Sequence, residues 1–236
     1  MWNNYFFQLQ KKYNMRLSTK MPLVVRFDGR QVTKNKDINL MENYNGSFFH
    51  SLEKTAEYFS KKYHCFSIFG SDEISFIILD AKIVIEDLEP SDKTTHSHEI
   101  IALFSQYFFD YFNHFDLHKK IFWHGKCFSI PSNKVSSYVK YRSGIIKNVL
   151  VTYFSIKNNI NDNGSSLIEK ISVCENMPNY KELEEMIDGI LYYDGNRIDL
   201  DTFLKNGEIK ECNSKKAAAD STKGYVDIED IDIELL

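Results

Sequence analysis

The sequence predicts an α+β fold in which helices pack on an antiparallel sheet. Two apolar runs of strand length, 66–70 and 74–79, flank a short polar turn and predict a tight β-hairpin. An apolar run that begins at Leu23 predicts a buried strand, and a long amphipathic segment separates it from the hairpin. Because strands and helices alternate in the order βαββαβα, we expect a ferredoxin-like sheet with its helices on one face.

The individual elements follow from the spacing of the apolar side chains. Between residues 45 and 63 these side chains recur at helical spacing, at Phe49, Leu52, Ala56, Phe59 and Tyr63. Helices are predicted at 2–17, 45–63, 100–112, 133–154 and 181–191. Strands are predicted at 23–28, 66–70, 74–79 and 121–130, with a further hairpin at 192–198 around Asp-Gly-Asn. The polar stretches 29–39 and 86–97 are predicted as loops.

The chain is predicted to have two parts. Residues 1–156 contain the alternating strands and helices and are expected to form one domain. Residues 157–236 are expected to be a C-terminal extension that begins with a linker rich in Asn, Asp, Gly and Ser. Its last stretch, 226–236, carries five acidic side chains and no base, which is typical of an edge strand or a solvated tail.

Composition limits the class of protein. With 43% hydrophobic and 14% aromatic residues, the chain can build a packed core, which argues against general disorder. A formal net charge of −4 neither indicates nor excludes binding to nucleic acid, since electrostatic footprints are local. No apolar run approaches the roughly 20 residues of a membrane span, and the N-terminus does not resemble a signal peptide. We therefore expect a cytoplasmic protein.

The cysteines and histidines predict no metal or disulfide framework. The four cysteines are widely scattered and form no CxxC pair. Cys65 and Cys127 lie inside apolar runs and are expected to be small core residues. The closest histidines, His96 and His98, lie in a polar stretch where solvation is the simplest interpretation.

Carboxylates stand where two of the predicted strands end. Asp28 closes the first strand, and Asp72 and Glu73 occupy the tip of the hairpin. Each motif alone is also a common turn, so the prediction rests on their joint position at one edge of a sheet. Mg²⁺ prefers hard oxygen ligands, and two such ions stabilise the attacking and leaving oxygens of an in-line displacement. The pattern predicts a two-metal site of the kind found in palm-type polymerases and nucleotide cyclases.

The predicted loop after Asp28 is basic, with Arg30, Lys34 and Lys36. Two interpretations stay open for it, a solvated loop and a grip on a triphosphate. Lys126, on the strand predicted at 121–130, has the same two interpretations. Most lysines are simply solvated, and the alternative is a contact with the triphosphate.

These residues resemble motifs of the tRNA-histidine guanylyltransferase family and its relatives, the reverse-direction (3′–5′) RNA polymerases. The family's metal motif, a strand ending in Arg-Ile/Leu-Asp-Gly-Arg, is matched by Arg26-Phe27-Asp28-Gly29-Arg30. Its second motif, Gln-Ser-Asp-Glu followed by Ser-Phe, is matched by Gly-Ser-Asp-Glu-Ile-Ser-Phe at 70–76. A third similarity, at 130–148, comprises a proline-containing turn, Tyr138, Tyr141-Arg142 and Asn148. Together the motifs cover roughly residues 23–154.

The resemblance implies a palm-like domain that binds a nucleoside triphosphate over two Mg²⁺ ions. By similarity the catalytic carboxylates are Asp28, Asp72 and Glu73; Asp28, the Gly29 carbonyl and Asp72 are metal ligands, and Glu73 is a ligand or supports one. The implied nucleotide-binding residues are Asp28, Gly29, Arg30, Gln31, Val32, Thr33, Lys34, Ser71, Asp72 and Lys126. Arg142 and Asn148 are implied to contact RNA.

Three stretches depart from the family pattern. Trp123-His124-Gly125-Lys126 stands where the family has Phe-Asp-Ala-Arg, and a lysine keeps the charge without the planar fork of arginine. Residues 95–99, Thr-His-Ser-His-Glu, replace the Arg-Arg-x-x-Lys run that meets a triphosphate. The stretch His-Ile-Asn-Asn is Ile-Ile-Lys-Asn at 145–148, which favours the like-protein branch that repairs truncated RNA 5′ ends.

The leading hypothesis is a metal-dependent nucleotidyltransferase that adds nucleotides, GTP foremost, to the 5′ end of tRNA or a tRNA-like RNA. The resemblance implies two Mg²⁺ ions as cofactors, GTP and ATP as substrates, an RNA 5′ end as partner, no membrane, and a homotetramer. Two alternatives stay open: a nucleotide cyclase or oligonucleotide synthase acting on free nucleotides, and a non-catalytic nucleotide- or RNA-binding module. Clustered carboxylates argue against the second alternative, since they repel one another without a cation.

Overall fold

The computed structural model of the 236-residue chain describes residues 17, 20–30, 32, 47–88, 96–113, 121–160, 165–178 and 180–207. Three predicted features therefore lie outside the described residues. They are the N-terminal helix apart from Leu17, the acidic tail, and the basic loop beyond Arg30 apart from Val32.

Within the described residues, six strands form one sheet. They are β1 (Leu23–Gly29), β2 (Phe66–Gly70), β3 (Glu73–Ile78), β4 (Trp123–Ser129), β5 (Ile190–Tyr193) and β6 (Asn196–Ile198). Their order across the sheet is β4-β1-β3-β2-β5-β6, and every pairing is antiparallel. Because β3 lies between β1 and β2, the first four strands have the split βαβ arrangement of a ferredoxin-like sheet. The predicted α+β class is confirmed.

Seven α-helices lie within the described residues. They are α1 (Ser47–Lys62), α2 (Ala81–Leu88), α3 (Ser97–Asn113), α4 (Val135–Lys157), α5 (Leu167–Cys174), α6 (Tyr180–Glu184) and α7 (Leu200–Asn206). The helices predicted at 45–63, 100–112 and 133–154 are thus confirmed as α1, α3 and α4. None of the described helices combines the length and apolar character needed to cross a membrane.

Two regions differ from the predicted elements. α2 extends into the stretch from residue 86 onward where the sequence predicts a polar loop, and the Asp80 carboxylate accepts a 2.9 Å bond from the Lys82 amide at its start. The helix predicted at 181–191 ends at Glu184. Gly189 has a left-handed φ of 82°, and Ile190 then pairs with Phe69 in the sheet, so the chain cannot stay helical there.

α1 and α3 pack on one face of the sheet through an aromatic layer. The Phe76 ring of β3 lies 4.6 Å from the Phe59 ring of α1 and 5.7 Å from the Phe104 ring of α3, centre to centre. Phe27 of β1 stacks on Phe108 of α3 at 4.8 Å. Since side chains alternate along a strand, the residues flanking Phe27 point to the opposite face.

α4 lies across that opposite face, so the prediction of helices on one face only is wrong. The Tyr138 hydroxyl of α4 is 3.4 Å from Ser75 Oγ, and Ser75 alternates with Phe76 along β3. Further along α4, Ile146 lies over Gly70 of β2. Amphipathic spacing identifies the apolar stripe of a helix, but it does not say which face of a sheet the stripe covers.

Part of the C-terminal extension joins the same sheet. β5 pairs with β2 from Phe66↔Tyr193 to Phe69↔Ile190, and β6 pairs with β5. The hairpin predicted at 192–198 is confirmed, with Asp194 and Gly195 both in the left-handed region at its turn. The division of the chain into domains at residue 156 stays a prediction.

The described cysteines are core residues. Cys65, Cys127 and Cys174 are buried and free. Burial raises the pKa of the Cys65 and Cys127 thiols to about 12, so both stay protonated at neutral pH. The sequence-based expectation for Cys65 and Cys127 is confirmed.

The close packing of α4 on β2 can be tested at two glycines. A Cβ atom on Gly70 would lie 2.5 Å from Cγ2 of Ile146 and 3.2 Å from the Gly189 backbone. We expect Gly70→Ala to lower the free energy of unfolding by about 1–3 kcal/mol, measured by urea denaturation. Gly144 lies within α4, and a Cβ atom there would meet nothing within 4 Å. Gly144→Ala should therefore raise the free energy of unfolding by up to about 1 kcal/mol, because alanine has the higher helix propensity. Equal effects of the two substitutions would contradict this packing.

Candidate active site

The end of β1 and the tip of the β2–β3 hairpin are joined at one end of the sheet. Asp28 is the register partner of Glu73, and the Gly29 amide donates a 2.7 Å hydrogen bond to the Asp72 carbonyl. A Cβ on Gly29 would lie 3.2 Å from that carbonyl oxygen and 2.6 Å from Val32 Cγ2, so glycine permits the close approach. The two acidic motifs are therefore neighbours in space, as their positions at strand ends predict.

The hairpin tip holds a backbone conformation that is unusual for its residue type. Ser71 has a φ of 51°, in the left-handed region, and the residue is 7% exposed. Its hydroxyl lies 3.4 Å from Oδ1 of Asp72. Outliers of this kind cluster at functional sites, where the surrounding structure supports the cost.

Glu73 is held by a buried bidentate ion pair. Arg142 of α4 donates from Nε to Oε1 at 2.8 Å and from Nη2 to Oε2, and both side chains are almost fully buried. Burial raises the pKa of Glu73, while the Arg142 guanidinium opposes that shift. Both carboxylate oxygens of Glu73 accept from Arg142, so the charge of Glu73 is compensated within the protein.

Arg26 links the ion pair to Asp28 and was missed as a site residue by sequence reasoning. Its Nη2 pairs with Oδ2 of Asp28, and its Nε lies 3.7 Å from Oε2 of Glu73. Within the described residues the buried Nε–H has no hydrogen-bond acceptor. The signal for its role is the two-residue spacing, which puts Arg26 and Asp28 on the same face of β1.

Asp72 differs from the other two carboxylates in how its charge is compensated within the described residues. Among the described side chains, no ion pair involves Asp72. Burial raises the pKa of its carboxyl, and hydrogen bonds from its own amide and from Ser71, together with the charge of Arg26, oppose the rise. An incompletely compensated, partly buried carboxylate is a position at which a cation would be favourable.

The edge strand β4 adds two side chains to the same face. His124 is the register partner of Asp28, and Lys126 is the partner of Arg26. Both are exposed, and cross-strand partners project to the same side of a sheet. His124 and Lys126, which depart from the pattern of the family that the sequence resembles, thus lie on the strand beside Asp28 and Arg26.

The remaining predicted site residues are placed unevenly. Arg30 is exposed and its amide donates a 2.8 Å bond to the Phe122 carbonyl, whereas Val32 is buried. Gln31, Thr33 and Lys34 lie outside the described residues. Asn148 is exposed on α4, but Arg142 is 3% exposed and already paired, which does not favour its implied contact with RNA.

The donor set fits a hard divalent cation in part. No group of three or more His, Cys, Asp or Glu side chains in the described part of the chain is arranged to hold a metal ion. The Asp28 and Asp72 carboxylates and the Gly29 carbonyl are nevertheless hard oxygen donors at one junction, and Mg²⁺ commonly takes only one or two protein carboxylates. These three groups fit the ion, whereas both oxygens of Glu73 accept from Arg142.

Comparison with known proteins gives matches in structure only. No family model and no curated protein matches the chain. A bacterial tRNA(His) guanylyltransferase (Thg1)-like protein in complex with ATP has a TM-score of 0.55 and 17% identity, with 82% of this chain and 84% of that chain covered. The GTP complex of such a bacterial protein has a TM-score of 0.57 and 16% identity, covering 81% of this chain and 83% of its own.

A tRNA(His) guanylyltransferase from Saccharomyces cerevisiae is similar to the same extent. Its TM-score is 0.54 at 15% identity, with 81% of this chain and 93% of that chain covered. At these identities the likeness shows a shared fold. The chain therefore has the palm-like α+β fold of these structures, as the sequence predicts.

The buried ion pair can be tested by a double-mutant cycle. Arg142→Met leaves the Glu73 carboxylate buried without its partner, and we expect it to cost about 3–5 kcal/mol of unfolding free energy in chemical denaturation. Adding Glu73→Gln removes the stranded charge, so the double variant should recover part of that loss. Lys147 is on the same helix as Arg142 and forms a more exposed ion pair with Asp188. Lys147→Met breaks that pair and should cost about 1 kcal/mol or less of unfolding free energy. Strict additivity of the Arg142 and Glu73 changes would contradict the coupling.

Proposed function

We propose that the protein is a metal-dependent nucleotidyltransferase that adds nucleotides to the 5′ end of a tRNA or tRNA-like RNA, in the 3′–5′ direction. The observation that carries the proposal is the junction at which Asp28, Asp72 and Glu73 meet at one end of the sheet. The fold supports it, because it is shared with a tRNA(His) guanylyltransferase and with Thg1-like proteins in complex with ATP and GTP.

Asp28, Asp72 and the Gly29 carbonyl are the proposed ligands of Mg²⁺. When bound, the ion neutralises phosphate charge and stabilises the oxygens of an in-line phosphoryl transfer. Glu73 is proposed to be a positioning residue and not a ligand. It pairs with Arg142 and lies near Arg26, and Arg26 in turn pairs with Asp28, so these contacts hold the Asp28 side chain in place. Ser71 is proposed to hold the Asp72 turn in its left-handed conformation.

The proposed reaction joins an incoming nucleotide to an activated RNA 5′ end. The 3′-hydroxyl oxygen of the nucleotide forms a bond to the 5′ phosphorus, and the bond to the leaving group breaks. The leaving group is pyrophosphate from a 5′-triphosphate or AMP from an adenylylated end, and the hydroxyl proton passes to solvent. Such transfers depend on positioning and on charge neutralisation, to which Lys126 and Arg30 are proposed to contribute.

A single assay separates the proposed function from the alternatives. Purified protein is incubated with Mg²⁺, labelled GTP or ATP, and a tRNA lacking its first 5′ nucleotide. Label in the RNA supports the proposal, and its position at the 5′ end establishes the direction. Small labelled products formed without RNA would indicate a cyclase or oligonucleotide synthase instead. Binding without turnover would indicate a non-catalytic module. Light scattering checks the proposed homotetramer separately.

The role of Asp72 is testable by one isosteric change. We expect Asp72→Asn to reduce turnover at least ~100-fold, because changes around metal ligands alone cost ~10–100-fold. Thermal stability without Mg²⁺ should stay level or rise, since the change removes a partly buried charge that lacks an ion pair with any described side chain. Mn²⁺ binding, followed by electron paramagnetic resonance, should weaken in parallel.

Asp80→Asn is the matched control for this change. Asp80 is exposed at the other end of β3, and asparagine can keep its cap on α2. We expect full activity and Mn²⁺ binding in the control. Wild-type turnover by Asp72→Asn would contradict the metal assignment.

The basic residues beside the carboxylates are testable by truncation. Charge-assisted contacts to phosphate contribute roughly 1.5–3 kcal/mol each. We expect Lys126→Ala and Arg30→Ala each to raise the KM for the nucleoside triphosphate by about 10–100-fold. Lys181→Ala, at an exposed position on α6, should leave it unchanged. An unaltered KM in both variants would mean that Lys126 and Arg30 are solvated and do not contact the triphosphate.

A further inference from the structure

α4 presents three different sides along its length. Arg142 and Ile146 face the sheet, where they contact Glu73 and Gly70. On one flank Val139 and Leu150 are fully buried. On the other flank Tyr141 and Asn148 are exposed, and their seven-residue spacing puts them on the same side of the helix.

The exposed flank borders the edge strand β4, since the ring of Tyr138, one turn before Tyr141, lies 5.9 Å from the Phe128 ring. α7 packs on α4, and α5 packs on its C-terminal end, where Ser155 Oγ lies 3.6 Å from Cys174 Sγ. α7 in turn covers the far corner, where Phe203 lies 5.0 Å from Phe66 of β2. Phe128, Lys126 and His124 occupy every second position along β4, so the three side chains lie on the face of the sheet that α4 covers.

Tyr141 is an exposed aromatic residue that the site holds in place. The side chain is 58% exposed, and the Arg142 guanidinium lies 5.3 Å from its ring centre. Its ring lies 6.4 Å from the Tyr138 ring, which is 5.9 Å from the Phe128 ring of β4. An aromatic ladder defined by Phe128, Tyr138 and Tyr141 thus runs from the edge strand to Tyr141, beside the Arg142 guanidinium that binds Glu73.

We propose that Tyr141 is a stacking platform for the unpaired 5′-terminal base of the RNA, on the face of the sheet where the edge strand carries His124 and Lys126. The inference rests on the proposed function and names the residue that positions the RNA end. Every nucleobase has a π-face, so stacking on a tyrosine accepts any terminal nucleotide, and nearby cations hold the backbone. Gly29 and Ser71, which the resemblance implies as nucleotide-binding residues, lie at the hairpin tip, whereas the Tyr141 ring lies 5.3 Å from the Arg142 guanidinium that binds Glu73; we therefore assign the ring to the RNA.

Direct binding measurements test the stacking role without turnover. The probes are 3′-labelled RNA hairpins with either one unpaired 5′ nucleotide or a blunt 5′ end, followed by fluorescence anisotropy without nucleotide or Mg²⁺. We expect Tyr141→Leu to weaken binding of the overhang RNA by about 10-fold or more, since stacking on an aromatic residue is worth a comparable factor. Tyr141→Phe keeps the ring and should bind like the wild type.

Two controls separate stacking from a general loss of surface. Ile168→Ala truncates an 80% exposed apolar residue on α5 and should not change binding. Blunt RNA should bind Tyr141→Leu and wild type equally. Equal loss for both RNAs, or no loss for the overhang RNA, overturns the proposal. Matched melting temperatures for all variants exclude unfolding as the cause.

A nucleotide arm distinguishes the source of the base. We expect the Kd for GTP to be the same in Tyr141→Leu and wild type. A rise in that Kd with unchanged RNA binding would overturn the assignment and place the free nucleotide on the ring. A wild-type protein that prefers overhang RNA yet adds no nucleotide would contradict the proposed function while supporting the stacking role.

Discussion

The bidentate ion pair between Glu73 and Arg142 is the contact on which the arrangement of the site depends. It joins the tip of the β2–β3 hairpin to the middle of α4, and both partners are almost completely buried. Burying two charges is expensive, so the pair is favourable only because its geometry is good and the flanking packing is close. Gly70 supplies that packing, since it lets Ile146 approach the sheet one turn further along the helix. The position of Tyr141 follows as well, because it is the neighbour of Arg142.

The three carboxylates of the site stand in three electrostatic environments, although two are adjacent in sequence. Glu73 is neutralised by Arg142. Asp28 pairs with Arg26, and the Arg26 guanidinium also lies near Glu73. Asp72 projects from a strained turn, and no described cationic side chain forms an ion pair with it. A divalent cation would therefore complete the charge balance at Asp72 and Asp28. Under the proposed function, this division separates Glu73, the proposed positioning residue, from Asp28 and Asp72, the proposed metal ligands.

The edge strand modifies the same face without disturbing the junction. Cross-strand registry puts His124 beside Asp28 and Lys126 beside Arg26, both exposed to solvent. Residues on an edge strand can change with little effect on the core, because Gly125 and Trp123 keep the opposite side packed on α3. The exposed side chains of this strand can therefore differ while the junction of β1 and β3 stays the same.

The sequence by itself determined the elements whose signals are local. The alternation at 23–28, the hairpin at 66–79 and the stripes of α1, α3 and α4 follow from side-chain periodicity, and the strand-end positions of Asp28, Asp72 and Glu73 follow from them. Only the tertiary structure decided that α4 covers the opposite face, that Arg142 turns inward to Glu73, and that β5 extends the sheet beside β2. Periodicity records which side of an element is apolar and not which element covers it. Pairing between residues 66–69 and 190–193, or between Arg142 and Glu73, depends on contacts distant in sequence.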